Sequence, residues 1–356
     1  MKIGMIEYQG RCDEKGVAVG HSPKVLGEYY KIAKNVADVS IYAPKTILRS
    51  TSCEISKGAK VLPFSIGMTG KKSLFVKILN KIHMFDNLSL AIKNSDDDIL
   101  WFYNVEYYFW LYLFLHRRIN KKIVCTLFIN GYEGGMVAKV KQWVFEKAQR
   151  KIDYIVGTGA SFSYKNVEHT FIPDYVYEAD KLEKYLNVSK QDYAVCLGTM
   201  DRGKQLECLI DAFNHSGYRL VIAGRFYDKE WYEELCESSH DNIEIIDDYL
   251  DGERYMKLLS EARYCVLPYS PDKYGIQTSG VLQEAMFVDT IPVSFNRVLE
   301  GSGLPGVGVE SWEDLYDANL LVEDKDIRDS LKRLRENVYD YNVVLDSYKK
   351  IFDKCL

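Results

Sequence analysis

No apolar run in these 356 residues approaches the roughly 18–20 needed to cross a bilayer. The amino terminus, MKIGMIEYQGRCDEKG, returns to charged residues after a few apolar ones, which does not read as a signal peptide. Eight cysteines are present (Cys12, Cys53, Cys125, Cys196, Cys208, Cys236, Cys265 and Cys355), with no C-x-x-C pair and no repeated spacing. That argues against a disulfide framework or a zinc site and for a reducing, cytoplasmic location. The six histidines show no metal-ligand spacing, and no Ser-His-Asp or Cys-His arrangement has supporting context. Basic residues are dispersed and accompany no recognition motif, so nucleic acid is not the expected partner. What is present is ordinary globular composition, 47% apolar and 27% charged, which excludes wholesale disorder.

The length exceeds what one hydrophobic core usually organises, so two domains of about 150–200 residues are expected. The net charge of −5 conceals an asymmetry: residues 1–178 carry a net +8 and residues 179–356 a net −13. Solvation alone accounts for such a split. The sharper reading is that the first half faces an anionic surface, either phospholipid or a pyrophosphate-linked acceptor.

Short β-rich runs alternate with helical patterns throughout. KIGMIEY, VSIYAP, KVLPFSI, DILWFY, KKIVCTLFI, DYIVGTG and HTFIP are the strand candidates of the first half. DYAVCLG, RLVIAG, NIEIIDD, YCVLPYS and TIPVSF follow in the second, each separated by a helical stretch. This alternation predicts two doubly wound α/β domains in tandem, each around a parallel sheet. The expected division is 1–178, 179–335, and a carboxyl-terminal helix over 336–356 that packs back on the first domain. Ligands of such sheets bind beyond the carboxyl ends of strands, where helix amino termini present free N–H groups, so the expected site is a cleft between the domains.

Three strand ends stand out. Tyr274-Gly275-Ile276-Gln277-Thr278-Ser279-Gly280-Val281 follows YCVLPYS and opens the helix that carries Glu284; its small and hydroxyl residues free amides that suit a diphosphate, with Glu284 placed to accept from ribose hydroxyls. Ser279 is otherwise a plain helix cap and Glu284 a solvated acid. Gly198-Thr199-Met200-Asp201-Arg202-Gly203-Lys204 follows DYAVCL, and its two cations can neutralise a leaving diphosphate in place of a divalent metal. A solvent-exposed charged turn is the plain alternative. Ala223-Gly224-Arg225 closes RLVIAG, where Gly224 permits close approach and Arg225 can project toward a ligand.

The order and spacing of these segments resemble the nucleotide-sugar-binding domain of the retaining GT-B glycosyltransferases, family 4 in particular. Lys204 stands nine residues before Phe213 of LIDAF, LVIAG supplies the strand ending in Gly, and Gln283-Glu284-Ala285-Met286 precedes TIPVSF. The resemblance covers about residues 190–300. It implies a GT-B fold, two Rossmann-like domains facing a central cleft, and transfer from a nucleoside-diphosphate sugar, expected to be a UDP-sugar, with retention and without a metal or other cofactor. Lys204 with Arg202 would hold the diphosphate and Glu284 the ribose. Gly198, Thr199, Gly224, Arg225, Gln277, Thr278, Ser279, Gly280 and Val281 would complete the donor site, with Asp248 and Tyr249 beside the base.

Three positions depart from the family pattern: Ile276 stands where its first Glu is usual, Thr199 where its Arg is usual, and Phe128 near its histidine. Arg202 is the expected substitute for the missing Arg. For the acceptor, expected to be a glycan on a lipid carrier in surface or capsular polysaccharide synthesis, the candidates are Gly16 and Gly20 after the first strand and Asn130 and Glu133 in NGYEGG. The aromatic run Tyr107–Leu115 reads as a buried helix, or as an interfacial contact with the inner leaflet aided by Arg117, Arg118, Lys121 and Lys122. A non-catalytic GT-B chain and a nucleotide-sugar epimerase are the rival readings.

Overall fold

A computed structural model of the chain describes residues 1–13, 15–18, 22–67, 73–116, 119–174, 179–321 and 325–356. It separates into two units: residues 1–158, 162–172 and 341–356 form the first, and 159–161 with 173–340 the second.

In the first unit, β1 (Lys2–Ile6), β3 (Asp38–Pro44), β4 (Lys60–Leu62), β6 (Ile99–Phe102), β7 (Lys122–Leu127), β8 (Tyr154–Gly157) and β9 (Glu168–Phe171) form one parallel sheet in the order β4-β3-β1-β6-β7-β8-β9. The short β2 (Arg11–Cys12) and β5 (Ile66–Gly67) pair apart from it. In the second unit, β10 (Gln191–Leu197), β11 (Leu220–Gly224), β12 (Ile243–Asp247), β13 (Ala262–Val266), β14 (Ile291–Phe295) and β15 (Val307–Val309) run β12-β11-β10-β13-β14-β15, again all parallel. Both orders reverse direction beside their first strand, between β1 and β6 and between β10 and β13. That reversal is the topological switch point at which doubly wound sheets bind ligands. The central strands are buried on both faces, as in ILWF of β6 and LVIAG of β11, because helices cover both sides of a parallel sheet.

The aromatic run forms the helix Tyr107–Leu115, and Phe109, Trp110, Tyr112 and Leu113 are buried in the first unit's core. Tyr107, Tyr108, Leu111 and Phe114 pack partly buried against the same core, which agrees with the reading of a buried helix. Lys121 is committed to the carbonyls of Ser95 and Asp97, and Lys122 to Asp153; Arg117 and Arg118 lie outside the described residues. The Tyr- and Lys-rich end, read as one helical pattern over 329–354, is two helices, Lys325–Asn337 and Tyr341–Cys355. The break separates two helices with different partners. Arg335 binds the Phe287 carbonyl and Asp289 in the second unit. Tyr348 and Phe352 pack on Trp101 in the first, where the Trp101 indole donates to Thr126 Oγ1 at 3.0 Å.

At the opposite end of the second sheet, Lys190 donates to the carbonyls of Ser260 and Val288 and to Thr290 Oγ1, each at 2.7 Å. Burial lowers its ammonium to about 7, with the Asp289 charge opposing and the Arg328 charge reinforcing. An unfolded lysine keeps its proton to about pH 10.4. Between about pH 7 and 8.5 the unfolded chain thus binds more protons at this site, and stability rises with pH. Thermal unfolding of the wild type is expected to move upward relative to Lys190→Met across that interval; parallel curves would contradict the shift.

Candidate functional site

The carboxyl ends of β10 and β11 meet through two glycines. Gly198 takes φ +108° and Gly224 φ +159°. A Cβ on Gly224 would lie 1.8 Å from the Gly198 carbonyl oxygen, so no side chain fits there. Beyond the glycines the chains stay paired: Met200 N donates to Arg225 O at 3.0 Å, and Asp248 N to Gly224 O at 3.1 Å. The loops after β10, β11 and β12 are thereby held side by side.

Lys204 is buried, 8% exposed, although it sits on a loop. Its backbone bridges to Tyr269 beyond β13, which places it at the β10/β13 switch point. Its ammonium donates to the Leu197 carbonyl at 3.3 Å, lies 3.7 Å from Met200 Sδ, and stands 5.7 Å from the centre of the Tyr269 ring. It makes no ion pair among the described residues. Tyr269 stacks on Tyr274 at 3.9 Å, and its hydroxyl accepts from Ser279 Oγ at 3.3 Å. The structure thus joins two segments that the sequence keeps 75 residues apart, Lys204 and Ser279. Ser279 precedes the helix Gly280–Phe287 and makes no side-chain cap. The amides of Gly280 and Val281 have no acceptor among the described residues, and a Cβ on Gly280 would meet nothing within 4 Å. A buried cation and an open helix amino terminus form a place for an anion.

Beside it, a cavity of about 250 Å³ is lined by Gly198, Thr199, Gly224, Arg225, Asp248 and Tyr249, together with Tyr227, Leu250 and Tyr255. The exposed Arg225 lies over the Tyr249 ring at 5.2 Å and makes no ion pair among the described residues. Asp248 is bound to Arg254 at 2.6 Å. Tyr255 connects this cavity to the helix: its hydroxyl donates to Glu284 Oε2 at 2.7 Å. Burial, then the Glu284 charge, push the Tyr255 hydroxyl well above its ordinary range, so it remains a donor at neutral pH. Gln277 and Thr278 lie on the segment leading into Ser279, and Thr278 is buried.

Arg202 does not join Lys204. Its guanidinium binds Asp228 at 2.8 Å, approaches Glu234 at 3.8 Å and lies over Trp231 at 5.6 Å. Asp228 caps the helix Lys229–Ser238 by accepting from Trp231 N, and its other oxygen turns Arg202 toward that acidic helix. The expected pair of neighbouring cations is therefore one buried lysine, with Arg225 rather than Arg202 lining the adjacent cavity.

In the first unit, the β1/β6 switch point is polar and buried. Glu7 accepts from the amides of Gln9 and Gly10 through one oxygen, while its other oxygen, Gln9 Oε1 and the Tyr103 hydroxyl have no partner among the described residues. Burial raises the Glu7 carboxyl above its ordinary value. The sequence reading missed Glu7 and Tyr103; their position just after β1 and β6 is the signal that marks them. Asn130 and Glu133 line a separate cavity of about 320 Å³ with Tyr132, Gln142, Gln149 and Tyr164. Asn130 accepts from the Tyr164 hydroxyl at 3.0 Å, and the Gln149 Oε1 has no partner among the described residues. Gly16, at φ +73°, sits in a tight turn closed by Asp13 and does not line this cavity; Gly20 lies outside the described residues.

No family model and no curated sequence matches the chain. Solved structures do share its fold. Sucrose-phosphate synthase from Thermosynechococcus elongatus is 15% identical, with 99% of this chain and 98% of that one covered and a TM-score of 0.65. Anabaena HepE, solved in complex with UDP and glucose, is 13% identical over 99% and 100% of the two chains, with a TM-score of 0.60. A Listeria monocytogenes protein assigned as a UDP-N-acetylglucosamine 2-epimerase is 12% identical over 99% and 97%, with a TM-score of 0.56. The fold, two Rossmann-like units of the GT-B type, is shared by all three.

Gly224→Ala is expected to lower the unfolding temperature by several degrees, since its Cβ forces β10 and β11 apart. Differential scanning calorimetry reads the effect; an unchanged variant would contradict the close approach.

Proposed function

We propose that the chain is a glycosyltransferase that takes its sugar from a nucleoside-diphosphate sugar, with UDP as the nucleotide. The observation that carries this reading is Lys204: a buried ammonium without a carboxylate partner among the described residues, facing open helix amides across Tyr269. Burying an unpaired charge is unfavourable, and a bound diphosphate supplies the missing countercharge. As the anomeric bond breaks, negative charge grows on the departing diphosphate. Lys204 and the amides of Gly280 and Val281 stabilise it in place, without reorganising solvent. Arg225 and Tyr249 flank the adjacent cavity as a platform for base and ribose, and Glu284, oriented by Tyr255, accepts from ribose hydroxyls. In this scheme the lysine and the amides do the work that a divalent ion does elsewhere, and Arg202 holds the loop rather than the phosphate.

The resemblance in residues 190–300 supports retention of configuration. The acceptor is proposed to be a glycan, carried on a lipid, in surface polysaccharide synthesis, held by the first unit. Asn130 and Glu133 in the 320 Å³ cavity, and the Glu7 and Tyr103 oxygens that have no partner among the described residues, are its candidate contacts. The likeness to a protein assigned as an epimerase favours one rival: isomerisation of the nucleotide sugar without transfer. Deuterium entering a sugar carbon from solvent, with no acceptor added, would favour that reading.

UDP is expected to raise the unfolding temperature more than GDP or ADP. Lys204→Ala is expected to lower turnover at least about a hundredfold, the scale of losing one strong donor to the transition state. Near-normal turnover in that variant would remove Lys204 from the site.

A further inference from the structure

The first turns of two helices in the first unit carry apolar side chains that the described residues leave exposed. In the helix Leu74–Asn94, Leu74 and Phe75 are each 73% exposed, and Val76, Ile78 and Ile82 are exposed with them. In the helix Met136–Ala148, Met136 is 83% exposed, and Val137, Val140 and Trp143 are exposed as well. An ordinary amphipathic helix turns its apolar residues inward, and these do so only from Met84 and Val144 onward. The two patches are neighbours. Lys81 of the first helix lies 5.0 Å from the Tyr108 ring, Lys141 of the second lies 5.3 Å from the Tyr107 ring, and the two rings are 5.6 Å apart. Phe114 packs on Trp143, and Phe85 on Tyr112, so the buried Tyr107–Leu115 helix braces both.

Charge decides what this surface fits. Residues 74–85 contain Lys77 and Lys81, residues 136–145 contain Lys139 and Lys141, and neither stretch contains a carboxylate. The nearest acids in sequence, Asp86 and Glu146 on the helices and Glu133 before the second, flank the patch rather than interrupt it. A second copy of the chain docked through a twofold axis would set these lysines against themselves with no acid to answer them. An anionic bilayer answers both features, taking the apolar tips among its acyl chains and the ammonium groups among its phosphates.

We infer that the exposed first halves of helices Leu74–Asn94 and Met136–Ala148 form a peripheral docking surface for an anionic lipid bilayer. This surface is not the aromatic run itself but the pair of helices on either side of it, and it stands independently of which sugar is transferred. The full chain is expected to sediment with vesicles of phosphatidylcholine and phosphatidylglycerol, and not with phosphatidylcholine alone. Added salt is expected to weaken the association. Phe75→Ser combined with Met136→Ser, and separately Lys77→Glu combined with Lys139→Glu, are each expected to reduce it at least about tenfold. Every altered side chain is exposed, and an unchanged UDP-induced thermal shift in the variants shows the fold and the donor crevice intact. Failure of the UDP response in the wild type would count against the proposed function and leave this surface standing. Wild-type chain that stays in the supernatant with anionic vesicles, or variants that sediment like the wild type, would overturn the proposal. So would concentration-dependent dimerisation by light scattering that these variants abolish while vesicles are ignored.

Discussion

A lysine ammonium enclosed by protein, with no acid beside it among the described residues, is the constraint around which the second unit is arranged. Removing a charge from water is costly, and the carbonyl of Leu197, the sulfur of Met200 and the face of Tyr269 compensate it only in part. The remainder calls for an anion. The sheet order accounts for where that anion would sit: β10 and β13 part at the switch point, Lys204 comes from one side of the gap, and the helix opening at Gly280 comes from the other. Tyr269 spans them, bridged by backbone to Lys204 and by its hydroxyl to Ser279.

The glycines make this arrangement possible by geometry rather than flexibility. Gly198 and Gly224 bring two strand ends so close that a methyl group at Gly224 would overlap a carbonyl oxygen. The three loops that line the neighbouring cavity therefore share one support. Tyr255, contributed by the helix Gly252–Glu261, ties that support to Glu284 on the opposite side, so cation, amides, cavity and carboxylate belong to one connected framework.

Much of this was legible in the chain. The strands appear as short β-branched and aromatic runs because parallel strands are buried on both faces, and the positions of Lys204, Ser279 and Glu284 follow from their offsets to strand ends. The three-residue β15 and the two-residue β2 and β5 were not legible, since such lengths carry no periodicity. The pairing of Arg202 was not legible because its partner, Asp228, lies 26 residues away and is placed by a helix cap. Glu7 and Tyr103 were overlooked because a single acid and a single tyrosine at strand ends look ordinary until their burial is known. The Tyr107–Leu115 run was legible as a buried helix, because apolar density in sequence reports burial, while the exposed apolar side chains of Leu74–Asn94 and Met136–Ala148 lie on helices of more mixed composition.

The most direct test of the central claim is a crystal structure of the chain soaked with UDP. The account predicts diphosphate oxygens within hydrogen-bond distance of Lys204 Nζ and of the amides of Gly280 and Val281, with the base in the cavity beside Tyr249. A nucleotide bound elsewhere, or a diphosphate turned away from Lys204, would contradict it.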